Sequence, residues 1–139
     1  MKTVMIFGTF DIVHHGHLNL FKQARKYGDR LVAVVARDAR VKNIKSRESV
    51  YNEKERKYFL EQIRLIDTVV LGDRKDVYKR IREIKPDVIV LGYDQVHFID
   101  KLAEKIKEFG LKTRIVRARA YKSDTQKTGK IRTLLETKI

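Results

Sequence analysis

The segment Val4-Met5-Ile6-Phe7-Gly8-Thr9-Phe10-Asp11-Ile12-Val13-His14-His15-Gly16-His17 joins an apolar run to a cluster of small and polar residues. Val4 to Phe7 reads as a buried strand that stops at a glycine. Gly8 lets the backbone approach a ligand. Gly16 opens a helix whose unpaired N–H groups carry about half a positive charge, a natural seat for phosphate. His14 and His17, three residues apart at that helix start, can turn their rings to one side and converge on a single anion. Preplaced donors of this kind suit the attack of a phosphate oxygen on the α-phosphorus of a nucleoside triphosphate. Charge then builds on the equatorial oxygens and on the departing pyrophosphate, and no protein nucleophile is needed. Two other readings compete. Zinc sites usually recruit cysteine or a further carboxylate at set spacing, and this chain has no cysteine. A helix cap alone would not ask for Thr9-Phe10-Asp11 upstream. The segment therefore points to nucleotidyl transfer.

Outward from this segment, Leu18, Phe21, Ala24 and Tyr27 keep helical spacing as far as Gly28, and 31–36 reads as a second buried strand, completing a βαβ unit. Further strands are expected at 68–71, at 88–91 after Pro86, and at 113–116. Helices between them are marked by Phe59, Ile63 and Ile66, by Val77, Ile81 and Ile84, and by Leu102, Ile106 and Phe109, each stripe facing the core. Strands alternating with helices imply an α/β fold, a Rossmann-like doubly wound five-stranded parallel sheet in a single domain over 1–139.

Ligands of such sheets lie beyond the carboxyl ends of the strands. That filter selects Gly8 to Asp11, Arg37 and Asp38, Gly72 and Asp73, Gly92 to Gln95, and Arg117 as the rim of one crevice. The stretch between Arg37 and Tyr51 has no clear period and contains Lys42, Lys45 and Arg47. It reads as a mobile basic lid able to bring lysine charge to a triphosphate, Lys42 ahead of Lys45, with a solvated charge run as the alternative. Asp11 and Asp38 can orient an incoming phosphate monoester or a magnesium ion, or else cap helices and pair with cations. Gly92 lets the chain turn beside a ligand, where Asp94 can accept from a ribose hydroxyl or a base with Gln95 next to it. Arg117 can reach phosphate, and Tyr121 can pack on or hydrogen-bond a base. Thr128 opens a last amphipathic helix with Ile131, Leu134 and Leu135 inward.

Gly8-Thr9-Phe10-Asp11 with His14-His15-Gly16-His17 resembles the paired GTFD and HxGH signatures of the HxGH nucleotidyltransferase superfamily, cytidylyltransferase-like. That superfamily includes glycerol-3-phosphate cytidylyltransferases, pantetheine-phosphate adenylyltransferases and archaeal FAD synthases, and the likeness runs along nearly the whole chain. The resemblance implies that Gly8, Thr9, Phe10, His14, His15, Gly16 and His17 bind nucleotide, that a lid lysine contacts the phosphates, and that Arg56 matches a family arginine in an E-x-R setting. It implies magnesium carried mainly by the triphosphate, and a homodimer. Where the superfamily places a Ser/Thr-rich pair for the β- and γ-phosphates, this chain has Lys127, Thr128 and Gly129, so Thr128 serves alone. Val35-Ala36-Arg37-Asp38, Lys85-Pro86-Asp87, Gly92-Tyr93-Asp94-Gln95, and Ile115-Val116-Arg117 with Tyr121 most resemble archaeal FAD synthases. Transfer of AMP from ATP to FMN is the activity so implied. A CTP-dependent glycerol-3-phosphate or other polyol-phosphate cytidylyltransferase is the runner-up. A non-catalytic nucleotide- or RNA-binding module is the reading from another class, and the intact histidine pair argues against it.

The formal net charge of +14 suits anionic partners. The cations are interleaved with Glu and Asp, as in Glu53 to Arg56 and Lys101 to Glu108, without an uninterrupted basic tail, which favours small phosphate-bearing molecules over nucleic acid. No apolar run approaches 18 residues, and the amino terminus passes directly into a strand. A cytoplasmic protein with no membrane partner is the expectation.

Overall fold

The computed structural model describes residues 1–45, 48–96 and 99–120, with only the backbone at 44 and 45. Strand β1 (Thr3–Gly8) leads to helix α1 (His15–Arg25) and strand β2 (Arg30–Val35). Helices α2 (Asp38–Lys45) and α3 (Glu53–Glu61) precede β3 (Thr68–Leu71), and α4 (Lys79–Ile84) precedes β4 (Val88–Leu91). A single 3-10 turn, Ile99–Lys101, runs into α5 (Leu102–Glu108), followed by β5 (Arg114–Arg117). The five strands form one sheet in the order β3-β2-β1-β4-β5, and every pairing is parallel.

Alternation along the strands explains why both faces need helices. Val4 and Ile6 of β1, with Leu31, Ala33, Val69 and Val90, join Phe21 and Ala24 of α1 and Leu60 of α3 in one core. Met5 and Phe7, with Val34, Ile89 and Leu91, join Ile81 of α4 and Leu102 and Ile106 of α5 in the other. Successive side chains of a strand point to opposite faces, so a strand apolar at every position is buried on both.

The site is positioned by where pairing stops. The β1–β2 ladder runs from Thr3↔Arg30 to Gly8↔Val35. Between β1 and β4 it holds only Val4↔Val88 and Met5↔Ile89. This pairing ends at Met5, and the point where the strand order reverses, beside which sheets of this kind bind ligands, lies between these two strands.

Expectations are corrected at four elements. The segment after Arg37 begins as a helix, α2, in place of an aperiodic lid. Val41 is its only buried side chain among those described, too few for a readable stripe. In α3, Phe59 is 39% exposed, and the face turned inward carries Arg56 and Leu60. Ile63 and Ile66 pack on the core from beyond the helix end. β2 and β5 are each shifted by one residue from their expected bounds.

Candidate active site

At the exit of β1 the motif side chains fit one another in a closed chain of contacts. A Cβ on Gly8 would stand 2.8 Å from the Phe10 ring, so the glycine makes room for that ring. Phe10 has φ 52°, in the left-handed region, and is buried. For a bulky residue this conformation costs on the order of 1–3 kcal/mol and persists only where surroundings over-determine it. The Phe10 ring meets Phe21 at 5.6 Å and stands edge-on to the His17 ring at 5.6 Å. His17 stacks on His14, with centroids 4.0 Å apart. His14 is the N-cap of α1, and its Nδ1 accepts from the Gly16 N–H at 3.1 Å. His17 Nδ1 accepts in turn from the His14 N–H at 3.3 Å, which makes a capping box from two imidazoles.

This bonding fixes chemistry. A ring nitrogen that accepts from an amide carries no proton, so in each neutral imidazole the proton sits on Nε2. The Gly16 N–H expected as part of the phosphate seat is already bonded to His14. Burial, and then the neighbouring charge of His15, push the His14 imidazole below its ordinary value of 6.5. His15 itself is exposed. Gly16 is small for a reason: a Cβ there would lie 2.8 Å from the His14 ring carbon Cε1 and 3.0 Å from Nδ1.

The two carboxylates expected on the acceptor or magnesium side hold backbone and a cation. Asp11, only 5% exposed, accepts from the Val50 and Tyr51 N–H groups at 2.8 and 2.9 Å. Asp38 accepts from Glu53 N–H at 3.1 Å, and Glu53 accepts from Asp38 N–H at 2.9 Å, so α2 and α3 exchange carboxylates across their first residues. Arg37 bonds Glu53 at 2.8 Å and the Gly72 carbonyl at 2.7 Å. Burial pushes the Glu53 carboxyl up, but the Asp38 N–H and Arg37 outweigh it and hold it below the usual range. Arg56 is fully buried and donates to the Thr9 carbonyl, the Tyr51 carbonyl and Asp38.

At the exit of β4, Gln95 closes a turn on itself. Its Oε1 accepts from Gly92 N–H at 3.1 Å, while its Nε2 reaches the Phe7 carbonyl at 3.4 Å across the gap between β1 and β4. Arg117 donates to the Gly92 and Gln95 carbonyls at 2.8 and 2.9 Å, and so braces this turn. Asp94 is exposed on it, and Lys42 is exposed on α2. Tyr121, Thr128 and the Lys45 side chain lie outside the described residues.

Sequence reading missed Glu53 and Arg37 as mutual braces and the burial of Arg56. The visible signal for Arg56 was its spacing of four from Leu60, which puts both on one helix face. Among the described residues no three His, Asp or Glu side chains gather to hold a metal, and no helix is long and apolar enough to cross a membrane.

The sequence matches the family described as cytidylyltransferase-like over residues 5–134. It is 42% identical over 132 residues to an FAD synthase of Aciduliprofundum boonei, covering 94% of this chain and 88% of that protein. To an FAD synthase of Ferroglobus placidus it is 44% identical over 122 residues, covering 86% and 78%. Among solved structures it is similar to a crystal structure described as the lipopolysaccharide core biosynthesis protein from Thermoplasma volcanium GSS1. The TM-score is 0.82, with 39% identity and coverage of 87% of this chain and 98% of that one.

Proposed function

This chain belongs to the cytidylyltransferase-like family and is a nucleotidyltransferase, and from that premise we propose that it transfers AMP from ATP to FMN with release of pyrophosphate. The observation that carries the reading is the imidazole capping box. Both rings accept at Nδ1 and are stacked, so each neutral imidazole holds its proton on Nε2 in a fixed orientation at the exit of β1. Relatives named FAD synthase at 42% and 44% identity support the choice of ATP and FMN.

In the proposed reaction an oxygen of the FMN phosphate attacks the α-phosphorus in line, and the bond to the β-phosphate oxygen breaks. Charge passes to the equatorial oxygens and to the leaving pyrophosphate. His14 and His17 donate to that charge from preset positions, so no reorganisation is required at the moment of transfer. Lys42, exposed on α2, supplies further positive charge, with Lys45 and Thr128 as its expected companions. A divalent cation, magnesium by expectation, would neutralise phosphate charge. Asp11 and Asp38 are bonded to backbone N–H groups and to Arg56, so such an ion would be carried mainly by the triphosphate. The whole of 1–139 acts as one domain, in a cytoplasmic homodimer.

A pyrophosphate-release screen crossing ATP and CTP with FMN and glycerol 3-phosphate tests the substrates. Turnover confined to ATP with FMN is expected, and turnover confined to CTP would replace FMN adenylation by polyol-phosphate cytidylylation. Replacing either histidine by alanine removes a donor worth about 2.7–4 kcal/mol of transition-state stabilisation, and kcat falls roughly 10²- to 10³-fold. A His14→Ala His17→Ala protein that turned over like wild type would refute the mechanism.

A further inference from the structure

We propose that Arg56 is a positioning residue that registers the motif turn and helix α2 against each other, and through the turn sets the alignment of the His14–His17 pair. Its guanidinium is fully buried, so it acts through other groups. Its donors go in separate directions: Nη1 to the Thr9 carbonyl at 2.9 Å, Nε to the Tyr51 carbonyl at 3.0 Å, and Nη2 to Asp38 Oδ1 at 2.7 Å. Those acceptors belong to the turn after β1, the residue before the α3 cap, and the first residue of α2. A planar fork can hold three such segments in fixed relative orientation, whereas the point charge of a lysine cannot.

Each branch ends at the chemistry. Thr9 immediately precedes Phe10, whose positive φ must be held by its surroundings. The carbonyl pinned by Arg56 belongs to the peptide that leads into that conformation. From Phe10 the contacts run through His17 at 5.6 Å to His14 at 4.0 Å. On the other branch, Asp38 starts the helix that carries Lys42, and its second oxygen binds the Glu53 N–H. Glu53 pairs with Arg37, which holds the Gly72 carbonyl beyond β3. One buried cation thus ties together the exits of β1, β2 and β3. The Asp38 side chain is 45% exposed, so water screens the ion pair and limits what it adds to stability, and the fixed geometry of the fork is what the cation delivers here.

The role rests on the nucleotidyl-transfer reading above, and the test separates the two. Arg56→Lys keeps the charge and loses the fork. In the folded variant kcat is expected to fall about ten-fold or more, with KM for ATP changed by less than about three-fold. In ligand-free protein the ¹⁵N ring signals of His14 and His17 and the Gly16 amide signal shift with it. Asp38→Asn, which keeps an oxygen toward Arg56, moves the same signals by a smaller amount, and should Arg56→Lys not fold, a folded Asp38→Asn protein with unshifted histidine signals overturns the proposal. A folded Arg56→Lys protein with wild-type kcat and unshifted histidine signals overturns the proposal, as does a loss that merely follows the folded fraction. If wild-type protein releases no pyrophosphate from any pair, the functional reading fails, and the histidine signals alone decide the positioning role.

Discussion

The two ends of the sheet are sealed by opposite charges. At the amino-terminal end, where parallel strands present N–H groups, carboxylates accept. Asp29 takes the Lys2 N–H at 3.0 Å, Asp87 the Thr3 N–H at 2.8 Å, and Asp67 the Leu31 N–H at 2.8 Å. At the carboxyl end, where carbonyls emerge, guanidiniums donate. Arg80 holds the Leu71 carbonyl at 2.9 Å, Arg37 that of Gly72 at 2.7 Å, Arg56 that of Thr9 at 2.9 Å, and Arg117 that of Gly92 at 2.8 Å. Backbone groups leaving a ladder need partners of the complementary kind. Each arginine offsets the negative end of the carbonyl it bonds, which on the proposed reading lowers the repulsion an anion meets at this end of the sheet.

If the carboxyl end is specialised for chemistry, a change there can cost activity out of proportion to its effect on the fold. Gly16→Ala is the sharpest case. Alanine is preferred to glycine in a helix by up to about 1 kcal/mol. Yet its Cβ would sit 2.8 Å from the His14 ring, which must swing off the cap and out of the stack. Turnover is expected to drop by about 10²-fold, comparable to the loss of one preset donor, with the thermal midpoint changed little, because the lost cap offsets the helix gain. Calorimetry beside pyrophosphate release checks it. A fully active Gly16→Ala enzyme would mean that the ring's place at the cap is irrelevant to the chemistry.

The converse holds at the other end. Asp67 accepts from the Leu31 N–H and pairs with Arg25, far from the crevice. Asp67→Ala should cost about 1 kcal/mol in urea unfolding and leave kcat and KM at wild-type values. A changed kcat would show that the two ends are coupled through the strands.

The sheet was legible because strands buried on both faces read as unbroken apolar runs, as in Val4 to Phe7 and Val88 to Leu91. The motif was legible because its letters constrain one another, Gly8 with Phe10 and Gly16 with His14. What the pattern of apolar residues could not reveal is a cation in a core position. Arg56 occupies the inward face of α3 that Phe59 was expected to take, and its partner Thr9 is 47 residues away in sequence. Arg117 shows the same limit. Its chemistry suggested phosphate, but its place beside three carbonyls of the β4 exit is set by the folded turn. Helix α2 escaped notice because eight residues with a single buried side chain among those described generate no period.

The smallest expected effect is one of pH, and it again separates the ends. Burial, followed by the charge of His15, lowers the His14 imidazole from 6.5. Protonation would place a hydrogen on Nδ1, facing the Gly16 N–H that now donates to it, and would set a charged ring against His17. The neutral form is therefore favoured by folding. With the folded value below the unfolded one, the unfolded chain binds more protons between the two, so stability rises with pH across that window. Stability is complete above about pH 6.5 and is lost as pH falls from there through the lowered folded value. The urea midpoint of wild type should decline on that acid side, together with kcat/KM for ATP, which reports the free enzyme. His14→Ala should flatten the stability profile there, and Asp67→Ala should leave its shape intact. His15→Asn removes only the charge contribution, brings the folded value closer to 6.5, and should narrow the window and reduce the stability lost across it. Equal slopes in wild type and His14→Ala would remove the imidazole cap from any part in holding this end of the molecule.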